Sequence, residues 1–419
     1  RSLSRSNYVE GIASLRQALE LLEDSDDSNE RVGRELRLQT ALGGALIATL
    51  GFAAAETGAA YDRAAALCNL VGETPSLYPV RYGVFVYQLV RGELARALDL
   101  AREFVTSAEA QQDSAHHLAA QRTLGSCLTF MGEWREAGQH LDRAVDLYDR
   151  ARHAGLAVSY AQDPRISALA LKSWGVLQQG RFDDSVALAD AAVSEAQAFE
   201  HLHTLAYALG IAAVSLHQIC GDLPRAREGA KTLAELCHRQ PVALWGSMAV
   251  CVEGWCIGKN GDVEGGVRQV IKGYDDFVAT GARLFRPYFN ALIADVYLAG
   301  EEFTPALERL ELAQQQMANY NEGWFAAELD LRHAETLRLS GKDAAAEAMY
   351  QRGLQRSRAQ SGLFSELRLS VGLATLLRDR GELDAARGLL APVFARFEQG
   401  FNRPDLVAAR RLLGTLGRA

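Results

Sequence analysis

Gly92-Glu93-Leu94, followed by Ala97, and Gly132-Glu133-Trp134, followed by Ala137, are two copies of one short turn. The pattern returns as Gly180-Arg181-Phe182 with Ser185, Gly221-Asp222-Leu223 with Ala226, and Gly381-Glu382-Leu383 with Ala386. Further copies begin at Gly261, Gly300 and Gly341. The intervals between the eight glycines are 40, 48, 41, 40, 39, 41 and 40 residues. Self-similarity at a fixed period of this size marks a repeat architecture. Each interval holds two apolar-periodic segments, so the unit is a helical hairpin and the chain is an all-α array of about ten hairpins.

The turn has a physical logic. Glycine just past a helix end enters the left-handed conformation at little cost. The acidic residue after it, as in Glu93, Glu133, Asp222, Asp262 and Glu382, opens the next helix at the positive end of the helix dipole. A small residue five positions after the glycine lets the second helix pack closely on the first; the sixth copy carries one extra residue and places Ala306 at the sixth position. A second small residue falls seven positions before the glycine, at Gly125, Ser173, Gly254, Ala334 and Ala374, whereas Phe85, Val214 and Ile293 depart from it. These features resemble the tetratricopeptide (TPR) repeat, with helices about a turn longer than its roughly 34-residue unit allows. The expected fold is a right-handed, TPR-like α-solenoid with a repeat of about 40 residues.

Residues 1–76 are expected to form N-terminal helices in partial or atypical repeats, 77–400 the solenoid proper, and 401–419 a C-terminal capping helix. Individual expectations include helices at Tyr8–Leu22, Glu30–Leu50, Ala54–Val71 and Pro404–Leu416, with a charged turn at Asp24–Asn29. Because it begins at Arg1 rather than methionine, the chain is expected to be a piece of a longer protein. One interval is long: between Gly132 and Gly180 the surplus falls in 151–164, read as a loop that ends on Asp163-Pro164, an N-cap followed by proline in the first helical turn. Functional residues concentrate in such loops.

Composition narrows the function. The net charge of −8 comes without a basic stripe, which argues against nucleic-acid binding by this chain. The uncharged run Leu38–Ala55 reads as a buried helix closed by Gly51, so no membrane association is expected. None of the six cysteines falls in CxxC spacing, and reduced thiols in a cytoplasmic protein are expected. There is no GxxxxGK[ST], HExxH or GxSxG motif and no zinc spacing. No catalytic residue, metal ligand or cofactor is therefore assigned, and this chain is not expected to be an enzyme. His201 and His203, near a helix start, read as capping or surface residues, and His217 as a hydrogen-bonded core residue.

The first helix of each hairpin lines the concave face of a solenoid, so residues there and in the long loop are the candidates for binding. They are Tyr160, Gln162, Asp163 and Arg165 in and after the loop, with Trp174, Trp255, Arg286, Tyr288, Trp324 and Glu328 from the first helices. Most such aromatics serve packing, and Arg286 and Glu328 form one possible ion pair. The partner is a protein or another domain of the same chain. The alternative is a small-molecule inducer in a concave pocket near 160–174.

Several stretches go beyond the TPR pattern: Ala60-Tyr61-Asp62-Arg63-Ala64, Leu89-Val90-Arg91-Gly92-Glu93-Leu94, Gln162-Asp163-Pro164, Leu216-His217-Gln218, Arg286-Pro287-Tyr288-Phe289 and Glu398-Gln399-Gly400-Phe401. With these the chain resembles, over its whole length, the C-terminal helical-repeat region of bacterial signal-transduction ATPases of the maltose-regulator type. Two departures are Ala161 and Ala55, where glycine and proline are usual. The resemblance implies a non-catalytic sensor arm. It would regulate an attached NTPase module, often fused to a class III adenylate or guanylate cyclase or to a winged-helix domain.

Overall fold

A computed structural model of the chain describes residues 5–23, 29–51, 54–71, 78–111, 113–239 and 242–417. Among these there is no strand. Three helices open the chain: α1 (Arg5–Glu23), α2 (Asn29–Leu50) and α3 (Ala55–Val71). Then come the hairpins α4 (Tyr78–Val90) with α5 (Leu94–Gln111), and α6 (Ser114–Met131) with α7 (Trp134–Leu147). The 151–164 surplus is partly helical: it contains two single-turn helices, α8 (Arg150–His153) and α9 (Leu156–Ser159), and is irregular over 160–163. The hairpin α10 (Pro164–Gln178) with α11 (Phe182–Phe199) follows. The next first helix is continuous from α12 (Leu202–Ala208) through a π-helical segment (Leu209–Ser215) into α13 (Leu216–Ile219), and it pairs with α14 (Leu223–Arg239). The remainder is α15 (Ala243–Lys259) with α16 (Val263–Ala279), α17 (Arg286–Ala299) with α18 (Phe303–Tyr320), and α19 (Ala326–Leu339) with α20 (Asp343–Ala359). The array ends with α21 (Leu363–Asp379), α22 (Leu383–Phe394) and the closing helix α23 (Pro404–Leu416). The charged turn expected at Asp24–Asn29 falls largely outside the described residues.

The repeated turn is a Schellman motif. Gly132 (φ +80°) donates its N–H to Thr129 O at 3.0 Å and Glu133 donates to Leu128 O at 2.9 Å, which satisfies two carbonyls at the end of α6. The same pair of bonds recurs at Gly92, Gly180, Gly221, Gly341 and Gly381. The acidic residues do stand at the N-cap, but only the aspartates reach back: Asp262 accepts from Gly265 N at 2.9 Å, whereas Glu133 and Glu382 make no side-chain cap bond. The sixth copy corrects the sequence register. Gly300 has φ −95°, and Glu301 takes the left-handed position with φ +58°. Counted from Glu301, Glu302 is the N-cap and Ala306 returns to the fifth position. Of the three positions that lack the small residue, Val214 lies in the π-helical segment, whereas Phe85 and Ile293 lie in regular α-helix.

The solenoid closes on itself after five hairpins. Val90 O, left open by the Schellman turn, accepts N–H groups from Arg283 (2.8 Å) and Leu284 (3.1 Å). One repeat on, Phe130 O accepts from Gly323 (2.9 Å) and Trp324 (3.1 Å). Both steps span 193 residues, so one superhelical turn rests on the next along a periodic seam. The third step uses side chains, with Ser365 Oγ donating to Gln178 Oε1 at 2.9 Å. On the other side of the same Gly180 turn, the Asp183 N–H donates to Gln399 Oε1 at 2.9 Å.

The turn glycines divide accordingly. Gly132 abuts Gly323 and Gln360 across the seam, and a Cβ on Gly323 would overlap the Met131 carbonyl oxygen. Gly381 has nothing near its Cβ position. Gly381→Ala should therefore cost only the strain of a left-handed alanine, about 1 kcal/mol. Gly132→Ala should cost clearly more, because the seam must part. Urea denaturation of the two variants measures the difference, and equal losses would show that the seam contributes nothing.

Candidate functional site

The second superhelical turn seals the concave face against the first. Trp174 and Trp324 stack with ring centroids 4.3 Å apart, although they lie on different turns. Phe130, Phe285 and Tyr288 pack edge-on or tilted around them. Trp174 Nε1 donates to Ile211 O (3.0 Å), a carbonyl of the π-helical segment. The space left between Trp134, Trp174, Gln178, Trp324 and Glu328 is about 10 Å³, room for a single water. Between Trp174 and Trp324 the space is filled by the protein's own aromatics.

A buried polar ladder runs along the first helices. Trp255 Nε1 donates to Asp295 (3.3 Å), and Arg332 pairs with Asp295 (3.1 Å) and with Glu328 (2.9 Å). Arg368 completes it, bonding Glu328 (2.6 Å), Asp405 (3.2 Å) and, across the seam, Ile219 O (3.3 Å). Two rungs, Trp255 to Asp295 and Glu328 to Arg368, are 40 residues long, so the ladder follows the repeat. Arg286 does not meet Glu328; its Nε donates to Ala282 O at 2.7 Å. Asp295, Arg332 and Arg368 went unnoticed in the sequence, although their placement among the apolar residues of first helices was a usable signal.

Glu322 and Trp324 lie in the turn before α19 rather than on it. The buried Glu322 accepts from Trp324 Nε1 (2.6 Å) and from the Phe285 N–H (3.2 Å), where Phe285 holds a left-handed φ of +75°. Burial pushes the Glu322 carboxyl up to about 8, against the opposing pull of those two bonds.

The segment before α10 folds inward at one end and outward at the other. Tyr160 is buried, with its ring edge-on to Tyr82 at 5.2 Å. Gln162 Oε1 accepts from the Tyr82 hydroxyl (3.1 Å), and the residue between, Ala161, has φ +60°. Asp163 caps α10 through Ile166 N (3.0 Å), accepts from the Tyr148 hydroxyl (2.6 Å), and donates its own N–H to Thr204 Oγ1 (2.9 Å). Arg165 forms a fork with Glu195 (3.0 and 3.1 Å). Tyr148, Arg150, Asp163, Arg165, Glu195 and Phe199 line a cleft of about 330 Å³. The ten sequence candidates therefore separate. Trp174, Tyr288 and Trp324 are interior packing, Trp255 and Glu328 belong to the ladder, and Arg286 caps a turn. Tyr160, Gln162, Asp163 and Arg165 hold the two faces of the insertion.

Burial shifts titratable groups of the core toward their neutral forms. The thiols of Cys127 and Cys220 are pushed up to about 12, and the imidazoles of His217 and His333 are pushed down to about 4. His201 caps α12 as expected. All six cysteines are free. Among the described residues no group of three or more His, Cys, Asp or Glu side chains could hold a metal ion. One described stretch, Leu202–Ile219, is long and apolar enough to cross a membrane, and 78% of it is buried in the solenoid core.

No family model matches the chain. It is 22% identical over 336 residues to an uncharacterized protein of Rhizobium meliloti, a match covering 78% of this chain and 32% of that protein. The chain thus spans about a third of the length of that curated relative. Among solved structures it is similar to a Rap protein complexed with Competence and Sporulation Factor, with a TM-score of 0.62 and 14% identity over 85% of this chain and 97% of that one. It also matches a tetratricopeptide repeat protein from Parabacteroides merdae, with a TM-score of 0.38 and 14% identity over 71% of this chain and 98% of the other. The Rap likeness is one of fold, and it agrees with a TPR-like helical-repeat solenoid.

Two outcomes follow from the buried charges. Arg332→Met leaves Glu328 and Asp295 short of a partner in the interior, and should destabilise by roughly 3 kcal/mol in urea denaturation. For Glu322, the folded carboxyl titrates near 8 and the unfolded one in the ordinary range near about 4.3. The folded chain holds a proton that the unfolded chain has released, so this group's contribution is full at low pH and is lost as pH rises through that window. Glu322→Gln should flatten the fall in thermal midpoint between pH 5 and 9 and raise the midpoint at the alkaline end. Parallel curves for the two proteins would exclude Glu322 as the source.

Proposed function

We propose that this chain is a non-catalytic sensor and protein-interaction solenoid whose movable part is the seam between superhelical turns. The observation that carries the reading is the seam itself. In an ordinary solenoid each repeat touches only its neighbours. Here a second set of contacts, 193 residues apart, fixes the pitch through four backbone hydrogen bonds to Val90 and Phe130. Opening it would expose Trp174 and Trp324 without unfolding any hairpin, a rigid-body change of the kind that binding partners exploit. The filled interior favours a protein partner, or another domain of the same chain, over a ligand held between the tryptophans.

The resemblance to signal-transduction ATPases supports an attached NTPase, nucleotidyl-cyclase or winged-helix transcription-regulator module as the regulated part. The length of the Rhizobium relative leaves room for one. The free thiols fit a cytoplasmic location. In the full-length protein, a GxxxxGK[ST] phosphate loop should precede Arg1. Gly323→Ala, which wedges the seam, should change the nucleotide hydrolysis rate several-fold while helix content by circular dichroism stays constant. An unchanged rate would refute the seam as the regulatory element, and a full-length chain without a phosphate loop would refute the NTPase assignment.

A further inference from the structure

Two arginines are buried among the described residues, and they are treated differently. Arg332 has two carboxylates. Arg122, in the middle of α6 and 2% exposed, has none. Its Nη1 donates to the Tyr82 hydroxyl at 3.0 Å, and its guanidinium carbon lies 4.7 Å from the centre of the Tyr82 ring. The other edge of the fork, Nε and Nη2, is buried with no partner. The Tyr160 hydroxyl, on a residue 1% exposed, is also buried with no partner. Burial keeps that phenol protonated, so it remains a donor, and the opposed charges of Arg122 and Asp113 both act on it. The acid nearest in sequence, Asp113, is committed to capping the start of α6 through Ala115 N at 2.8 Å.

A buried guanidinium without a counter-charge is among the costliest arrangements a core can hold. The free groups here are all donors, and two of them are the parallel N–H pair that matches a planar carboxylate side-on. Tyr82 meets both groups: its ring centre is 4.7 Å from the Arg122 guanidinium carbon and 5.2 Å from the centre of the Tyr160 ring. Tyr160-Ala161-Gln162 forms a strap, closed by a 2.7 Å bond from Gln162 N to Tyr160 O and by the left-handed Ala161. Strain of this kind gathers at ligand clamps. Two four-residue helices, α8 and α9, lead into the strap, which lies outside the hairpins on either side.

We infer that Arg122 is a binding site for the carboxylate of a small organic acid, gripped by Nε and Nη2, with Tyr160 as both cover and third donor. The depth of the two side chains, 2% and 1% exposed, favours a free acid over a polymer. The inference supplies a ligand for the sensor reading above and rests on that reading for its regulatory consequence alone; the binding stands or falls separately.

The test uses the chain as it is, with acetate and benzoate as probes and benzamide and inorganic phosphate as controls, followed by calorimetry and thermal shift. Acetate or benzoate should bind and raise the thermal midpoint, and benzamide should not. Arg122→Met should weaken binding at least ten-fold and Tyr160→Phe about five-fold, as charge-assisted and neutral hydrogen bonds respectively require. Without ligand, Arg122→Met should raise the thermal midpoint, because it removes an unpaired buried charge. No carboxylate binding at tens of millimolar, binding unchanged in Arg122→Met, or a shift produced by phosphate alone would each overturn the assignment. So would a lowered midpoint in ligand-free Arg122→Met, which would make the arginine structural. Carboxylate binding that leaves the full-length protein's hydrolysis rate unchanged would count against the sensor reading and not against the site.

Discussion

Two carbonyl oxygens, Val90 and Phe130, hold the architecture in its closed form. Each belongs to the last turn of a first helix, where a helix leaves carbonyls without partners. The Schellman turn satisfies two of them and leaves these open. The next superhelical turn supplies the missing N–H groups, and that docking requires glycine on both sides, at Gly132 and Gly323. Everything inside follows from this contact. It brings Trp324 onto Trp174, buries Glu322 beside Phe285, and places Arg368 against Ile219. A molecule that is one-dimensional in its local packing thereby acquires an interior that no single hairpin could build.

The hairpins were legible because their determinants are local. Glycine, N-cap and small residue act within one turn, and repetition multiplies a weak signal until helix ends can be read to within a few residues. Where the register drifted, at Gly300, the backbone shows why. The left-handed residue is Glu301, and a local rule that required glycine selected its neighbour. The seam was invisible for the opposite reason. It joins positions 193 residues apart through backbone atoms, which carry no residue signature. The aromatic first helices were singled out in the sequence as a binding face, and they do face one another. What periodicity could not convey was that the second superhelical turn would fill the space between them. The insertion was found by its length, yet the residue it covers, Arg122, was passed over. One arginine in Ala119-Ala120-Gln121-Arg122-Thr123-Leu124 gives no hint of whether a partner waits elsewhere in the chain.

The buried charges fall into two kinds. The ladder of Asp295, Glu328, Arg332, Arg368 and Asp405 is internally paired: Arg332 meets Glu328 within α19, and the other three rungs cross from helix to helix at close to the repeat spacing. Such networks add little net stability over apolar packing but penalise misregistered stacking severely, since a slip by one hairpin strands several charges at once. Arg122 has no rung to stand on. Its neighbour one repeat back, Tyr82, offers a hydroxyl and a ring face instead of a carboxylate.

Geometry links Arg122 to the seam. Tyr82 lies eight residues before Val90 on α4, and Arg122 lies eight residues before Phe130 on α6. At about 1.5 Å rise per residue, the two contacts are roughly 12 Å apart along each helix. A tilt of about 3° at the lower contact displaces a carbonyl at the upper one by roughly 0.6 Å, which is enough to take a good hydrogen bond to the edge of its range. The bond between Arg122 and Tyr82 sets the spacing of α4 and α6 at the lower level. The seam reads the same spacing at the upper level, because Val90 and Phe130 must match Arg283 and Gly323 on the turn above. A carboxylate bound between Arg122 and Tyr160, as inferred above, would act on the pair of helices whose ends hold the seam, with no intervening relay.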